Sequence, residues 1–253
     1  MSPFKVKLSQ QQPLLGTFQK TPHYHNTEVL ALSGFDTICL DAEHAPFSRA
    51  DLDACVLAAR ANQQHVVVRI ADDNHSTLLN VLDLGADGIV VPHVKSAEQL
   101  KHIVQHCYYG SGGRGYAGST RMAAYTTKGI KQNLEHNINN TCIIAQIEDL
   151  EALDHLEAIC QVPGLDCLFI GRMDLTVALG ETDPNAPEVI EVVNRIIKVA
   201  QENKITTGMF IPNLDELENW LEQQVSLFLL GSDHSFMLAG ARQLQQRFKD
   251  AQS

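Results

Sequence analysis

Short apolar runs and longer amphipathic stretches alternate along the whole chain, with polar turns between them. The runs are LLGTF (14–18), TICLDAE (37–43), HVVVRIA (65–71), GIVVPH (88–93), TCIIAQIE (141–148), DCLFIG (166–171), TTGMFI (206–211) and SLFLLGSD (226–233). Most are almost continuously apolar, as strands are when a parallel sheet is covered on both faces. Between them lie RADLDACVLAARAN, STLLNVLDLG, SAEQLKHIVQHC and PEVIEVVNRIIKVAQEN, whose apolar residues recur at helical spacing. Ser or Pro opens several of these, and glycines in LDLGAD and LALSGF mark helix ends. A last amphipathic pattern, HSFMLAGARQLQQRF, predicts a C-terminal helix. Eight strand signals alternating with helices predict an α/β protein, a (β/α)8 TIM barrel, as a single domain over residues 1–253. A doubly wound open sheet is the competing arrangement, but no G-x-G-x-x-G follows the first strand. Residues 108–140 break the rhythm. They open YYGSGGRGYAGSTR, too glycine-rich for helix and too long for a plain connection, which predicts a mobile rim loop carrying Arg114 and Arg121.

Composition narrows the function classes. An apolar fraction of 44% and a charged fraction of 19% are ordinary for a globular chain of 253 residues. A net charge of −11 without a Lys/Arg cluster argues against nucleic acid and anionic membranes as partners. The six cysteines fall mostly inside apolar runs, without CxxC pairs, and read as small buried hydrophobes in a reducing compartment. The start, MSPFKVKLSQ, lacks the apolar centre of a signal peptide, and no run is long enough to cross a bilayer. A soluble, cytoplasmic protein is expected.

In such barrels the chemistry sits at the C-terminal strand ends. The polar residues there are Asp41, Glu43, His44, Arg69, His93, Lys95, Gln146, Glu148, Arg172, Asp174 and Asp233. Glu148 and Asp174 follow consecutive strands, so their carboxylates can converge on a hard divalent cation, or they can merely start the helices that follow. Arg69 interrupts an apolar strand, where a guanidinium needs an anion: an internal acid, or a substrate carboxylate or enolate. His44 is a candidate base, with Asp41 or Asp83 as the carboxylate that supports it. The remaining histidines read as surface residues. GSGGRG lacks the Lys-Ser/Thr of a P-loop and carries little information by itself.

Taken together, these segments resemble the HpcH/HpaI family of class II pyruvate aldolases. LLGTF, SGFDTICLDAEHAPFS, VVVRIADDN, LDLGADGIVVPHVKSAEQ, RGYAGSTR, AQIEDLEAL, GLDCLFIGRMDL and FLLGSDHSFM match in order and spacing, and DAEHAP, QIE and FIG-x-x-DL are the most specific. The resemblance implies a metal-dependent aldolase that cleaves a 4-hydroxy-2-oxo acid to pyruvate and an aldehyde. It implies a homohexamer whose subunits exchange C-terminal helices. It makes Glu148 and Asp174 the ligands of Mg²⁺ or Mn²⁺, with Co²⁺ as a further option. Gln146 and the amides of Met173 and Asp174 would hold the pyruvate carboxylate. Arg69 would stabilise the enolate and His44 would be the base, supported by Asp83 or Asp41. Glu43 is left without a role. One departure stands out: Arg172 and Met173 follow FIG where the family usually has a proline. Three rivals remain: a Schiff-base aldolase using Lys95, an acyl-CoA lyase of the malyl or citramalyl kind, and a silent pyruvate- or metal-binding protein.

Overall fold

A computed structural model describes residues 3–252. Eight strands, β1 (Leu14–Gln19), β2 (Thr37–Asp41), β3 (His65–Arg69), β4 (Gly88–Val91), β5 (Cys142–Ile147), β6 (Cys167–Ile170), β7 (Thr206–Ile211) and β8 (Leu227–Ser232), close into one barrel. Every neighbouring pair is parallel, including β1 with β8. The helices of the outer ring are α2 (Tyr24–Ala31), α3 (Arg49–Ala61), α4 (His75–Asp83), α5 (Ala97–Cys107), α6 (Ile130–Asn140), α7 (Leu156–Cys160), α8 (Arg172–Ala178), α9 (Pro187–Glu202) and α10 (Leu217–Glu222). α1 (Phe4–Ser9) precedes the barrel and α11 (Asp233–Asp250) follows it. The TIM-barrel expectation is met, strand for strand.

The near-continuous apolar strands divide by parity. Outward residues such as Ile38, Leu40, Val66, Val68, Ile143 and Ala145 pack under the helices in one large cluster. Inward residues such as Cys39, Val67, Ile144, Cys167, Phe169 and Leu229 fill the barrel with Phe4 and Leu8 of α1. α1 thus plugs the N-terminal end, a helix the sequence pattern left undetected because its six residues are too short to show periodicity. All six cysteines are buried and free. Gly34 and Gly85 take φ values of 86° and 87°, as helix-ending glycines do.

One expectation about connections comes out differently. Residues 108–129 do not reach the C-terminal rim, because α5 has already carried the chain back to the other end of the barrel. There Arg114 pairs with Asp83, Arg121 donates to Leu84 O at 2.9 Å, and the Met122 amide donates to Asp83 O at 3.2 Å. α11 packs on β1 and β8 near its start, and Met237, Leu244 and Phe248 farther along it are 64–66% exposed. No described helix is long and apolar enough to cross a membrane.

Candidate active site

Inward parity explains why the charged residues meet. Continuing each inward register past the apolar layer brings Lys20 above Phe18, Asp41 and Glu43 above Cys39, and Arg69 above Val67. In the same way Gln146 and Glu148 stand above Ile144, and Gly171 above Phe169. The barrel is therefore apolar below and ionic at its C-terminal mouth, where a cavity of about 270 Å³ is lined by Lys20, His44, Arg69, Gln146 and Asp174. Phe18, Phe169, Phe210 and Pro212 supply its apolar walls.

Arg69 is 7% exposed and held by Asp41, Nε to Oδ1 at 3.0 Å and Nη2 to Oδ2 at 2.8 Å. This is the paired-fork geometry that a buried guanidinium needs. Lys20 Nζ reaches the same carboxylate at 2.8 Å. Burial alone would raise the Asp41 pKa, but the two cations overcome it and bring the group down to about 2. Asp41 also accepts the His44 backbone N–H at 3.1 Å. It supports the His44 turn, not its ring. The imidazole has Glu43 as its carboxylate neighbour, at 3.7 Å, and Glu43 also lies 3.2 Å from Arg69 Nε.

Asp83, the other carboxylate expected beside His44, is not brought there. It ends α4 at the opposite end of the barrel and is engaged by Arg114. Within one chain the two residues are separated by the length of the strands, because an α/β helix returns antiparallel to its strand.

Glu148 is 4% exposed. It accepts the His93 amide at 2.8 Å and the Gln146 side-chain amide. Burial raises its pKa and the nearby charge of Asp174 adds to that, against the lowering effect of those donors. Gly171 makes room for this carboxylate: a Cβ there would lie 2.6 Å from Glu148 Cβ and 3.0 Å from Oε2. Glu43, His93 and Glu148 together form a group able to hold a metal ion, with Asp174 nearby on the cavity wall. The donor set fits a divalent cation: clustered carboxylates, one with a raised pKa, beside Glu43 Oε2 and Gln146 Oε1, buried oxygens that accept no hydrogen bond.

Arg172 contributes to the cavity lining, but its guanidinium is paired. Its side chain is 4% exposed and turns outward to Glu216, 2.7 Å away, over the Trp220 ring at 5.4 Å. Glu216 also accepts Trp220 Nε1–H at 3.1 Å. A half-buried ion pair thus ties the start of α8, with Met173 and Asp174, to the loop after β7. Asp233 is likewise occupied internally, accepting the amides of Lys20 and Thr21 at 2.8 and 3.0 Å. Lys95 is exposed and lies near Asp149 and Glu151, away from the cavity lining. Two residues of the site escaped the sequence reading. Lys20 was legible as the next inward position after Phe18, and His93 was counted at a strand end and then set aside with the surface histidines.

The sequence matches the HpcH/HpaI aldolase/citrate lyase family over residues 15–239. The chain belongs to that family. It is 29% identical to a hydroxypyruvate/pyruvate aldolase of Paraburkholderia phytofirmans, covering 98% of each chain. It is 31% identical to a 2-dehydro-3,6-dideoxy-6-sulfogluconate aldolase of Pseudomonas putida, covering 97% of this chain and 96% of that protein. The fold superposes with a TM-score of 0.91 on the crystal structure of a family protein from Burkholderia cenocepacia, at 27% identity over 97% of this chain and 98% of the other. Like those relatives, this family member is an aldolase, a carbon–carbon lyase.

Proposed function

We propose that the protein is a divalent-metal-dependent class II aldolase cleaving a 4-hydroxy-2-oxo acid to pyruvate and an aldehyde, and running the addition in reverse. The single observation that carries this reading is the buried Glu148 carboxylate, bonded to Gln146 at the edge of a cavity that Gln146, Asp174 and the Asp41-locked Arg69 line. Glu148 and Asp174 would hold the cation, Mg²⁺ or Mn²⁺. When bound, it supplies Lewis acidity to a keto oxygen and so favours the enolate that carbon–carbon cleavage produces.

The chain's own groups do the rest. Gln146, with the first-turn amides of Met173 and Asp174, orients the pyruvate carboxylate, since those amides have no helical acceptor. Asp41 uses Arg69 Nε and Nη2, which leaves Nη1 directed to the cavity for an oxyanion. His44 takes the proton from the C4 hydroxyl, its ring facing Glu43 and its backbone tied to Asp41. Phe210 and Pro212 accommodate the aldehyde half. Residues 1–253 act as one domain, in a homohexamer in which the exposed Met237–Leu244–Phe248 stripe of α11 is covered by a second copy.

Pyruvate release from a panel of 4-hydroxy-2-oxo acids, with and without chelator, tests the reading. Cleavage abolished by chelator and restored by Mg²⁺ or Mn²⁺ is expected. Activity that survives chelation, or a borohydride-trapped pyruvate adduct, would replace it with Schiff-base chemistry. Cleavage of CoA thioesters alone would favour an acyl-CoA lyase. Absence of proton exchange at the pyruvate methyl group would indicate a binding protein.

A further inference from the structure

His93 sits where no surface histidine belongs. Its backbone has φ of 54°, the left-handed region that costs a non-glycine residue energy unless the surroundings hold it there. What holds it is the acidic cluster: the His93 amide donates to Glu148 Oε1 at 2.8 Å, and Nδ1 lies 2.9 Å from Asp149 Oδ2 and 3.3 Å from Glu148 Oε1. On the other side of the ring, Nε2 faces Glu43 Oε1 at 3.6 Å, too long for a hydrogen bond.

A carboxylate on Nδ1 requires the N–H there. In the neutral ring this leaves the lone pair on Nε2, aimed toward Glu43. A carboxylate behind one ring nitrogen is also the arrangement that orients metal-binding histidines. Two ligands of one ion, each about 2.1 Å from it, stand roughly 3.0–3.4 Å apart, close to the Nε2–Glu43 separation. Asp149 would then be the orienting group, and the strained backbone is what sets the ring, 57% exposed, over the acidic cluster.

We propose that His93 donates Nε2, with Glu43 Oε1 beside it, to the cation held by Glu148, making this a mixed nitrogen–oxygen site. This rests on the metal-dependent reading above and sharpens it. An imidazole donor suits Mn²⁺ less than Co²⁺ and Zn²⁺, and suits all three better than Mg²⁺, which favours oxygen. The site therefore discriminates against Mg²⁺ in favour of transition ions.

The test needs no turnover. Mn²⁺ is bound to the full-length protein without substrate and examined by electron spin-echo envelope modulation, with dissociation constants measured for Mn²⁺, Co²⁺ and Mg²⁺. His93→Asn is the variant of choice, because Asn tolerates positive φ and removes the imidazole with little backbone strain. His93→Gly, equally at ease there, is the second. Expected are a ¹⁴N modulation in the wild type that both variants lose, and Co²⁺ binding weakened about 10- to 100-fold while Mg²⁺ changes less than about 3-fold. A wild-type spectrum without ¹⁴N coupling, coupling that persists in both variants, or equal weakening of Mg²⁺ and Co²⁺ would overturn the proposal. Glu148→Gln separates the two readings. If it still binds Mn²⁺ as the wild type does, the Glu148 metal assignment fails, whatever His93 does.

Discussion

The two ends of the barrel use the same kinds of side chain to opposite purposes. At the N-terminal end it is the carboxylates that have completed sets of partners, while Arg114 Nε and Nη1 and Arg121 Nε donate to none. Asp36, Asp87 and Asp166, each just before a strand, accept the backbone amides of Leu15, Val66 and Ile143 at 2.9–3.0 Å. Lys5 on α1 is shared by Asp166, Tyr108 and Thr141 O at 2.8–3.1 Å. At the C-terminal end Asp41, Glu43, Glu148 and Asp174 crowd one mouth with Arg69 and Lys20, and buried oxygens of Glu43 and Gln146 accept no hydrogen bond. A satisfied charge pins the fold. Carboxylates left short of partners store the electrostatic free energy that a cation or substrate releases on binding.

Glu148→Gln should break this contrast most completely, since it removes the anion proposed to hold the metal and leaves the shape intact. Several kcal/mol of transition-state stabilisation correspond to a loss of roughly 10³-fold or more in kcat/KM, with loss of metal dependence. Mn²⁺ titration and steady-state cleavage read the two effects. A fold that is unchanged by circular dichroism yet fully active would sink the assignment. Asp41→Asn should come next. It unlocks Arg69 and leaves Arg69 and Lys20 facing each other without their shared anion. A loss of roughly 10²-fold in kcat, smaller than for Glu148, is expected because Arg69 remains present but misdirected. Retained kcat would show that Arg69 needs no such lock.

This ranking could not have been read in full from the sequence. All eight strands were legible, because each apolar run is buried on both faces and the runs alternate with helical patterns. The mouth was legible as a list of strand-end residues, and Arg69, Gln146, Asp174 and His44 do line one cavity. What parity and spacing could not supply was pairing. Asp41 and Glu43 share a strand face, yet one locks Arg69 and the other lies beside the His44 ring. The His93 ring direction depends on a left-handed backbone that no periodicity encodes. Residues 108–129 looked like a rim loop only because glycine content says nothing about which end of the barrel a connection occupies.

Between the extremes lies the Arg172–Glu216 pair, which supports the mouth from outside. Glu216→Gln should raise the pyruvate KM about 10-fold with kcat changed less than about 3-fold, because the Asp174 wall shifts while the reacting groups stay. Its pH signature has a definite sign. Burial opposes ionisation of Glu216, but Arg172 and Trp220 bring its pKa below the ordinary glutamate value. The stability it contributes is therefore present above the unfolded-state pKa and lost as pH falls through the lower folded value. The gap in Tm between wild type and Glu216→Gln should narrow with acidification below about pH 4.5. A gap that widens would mean that the pair opposes folding.

The smallest effect on chemistry belongs to the opposite end. Lys5→Met keeps most of the stem that packs beside Tyr108 and strips Asp166 of its cation, while Asp166 retains the Ile143 amide. The charged hydrogen bonds lost to Asp166, Tyr108 and Thr141 O in a partly buried setting together cost at least about 2 kcal/mol, or roughly 5 °C or more in Tm for a chain of this size. Because α1 closes the barrel from below, and the apolar layer from Cys39 to Leu229 separates it from the mouth, kcat/KM should stay within about 2-fold of wild type. Thermal melts alongside the cleavage assay decide it. A large activity loss without a Tm change would mean that the two ends are coupled through the barrel, and the division between a structural end and a chemical end would fail.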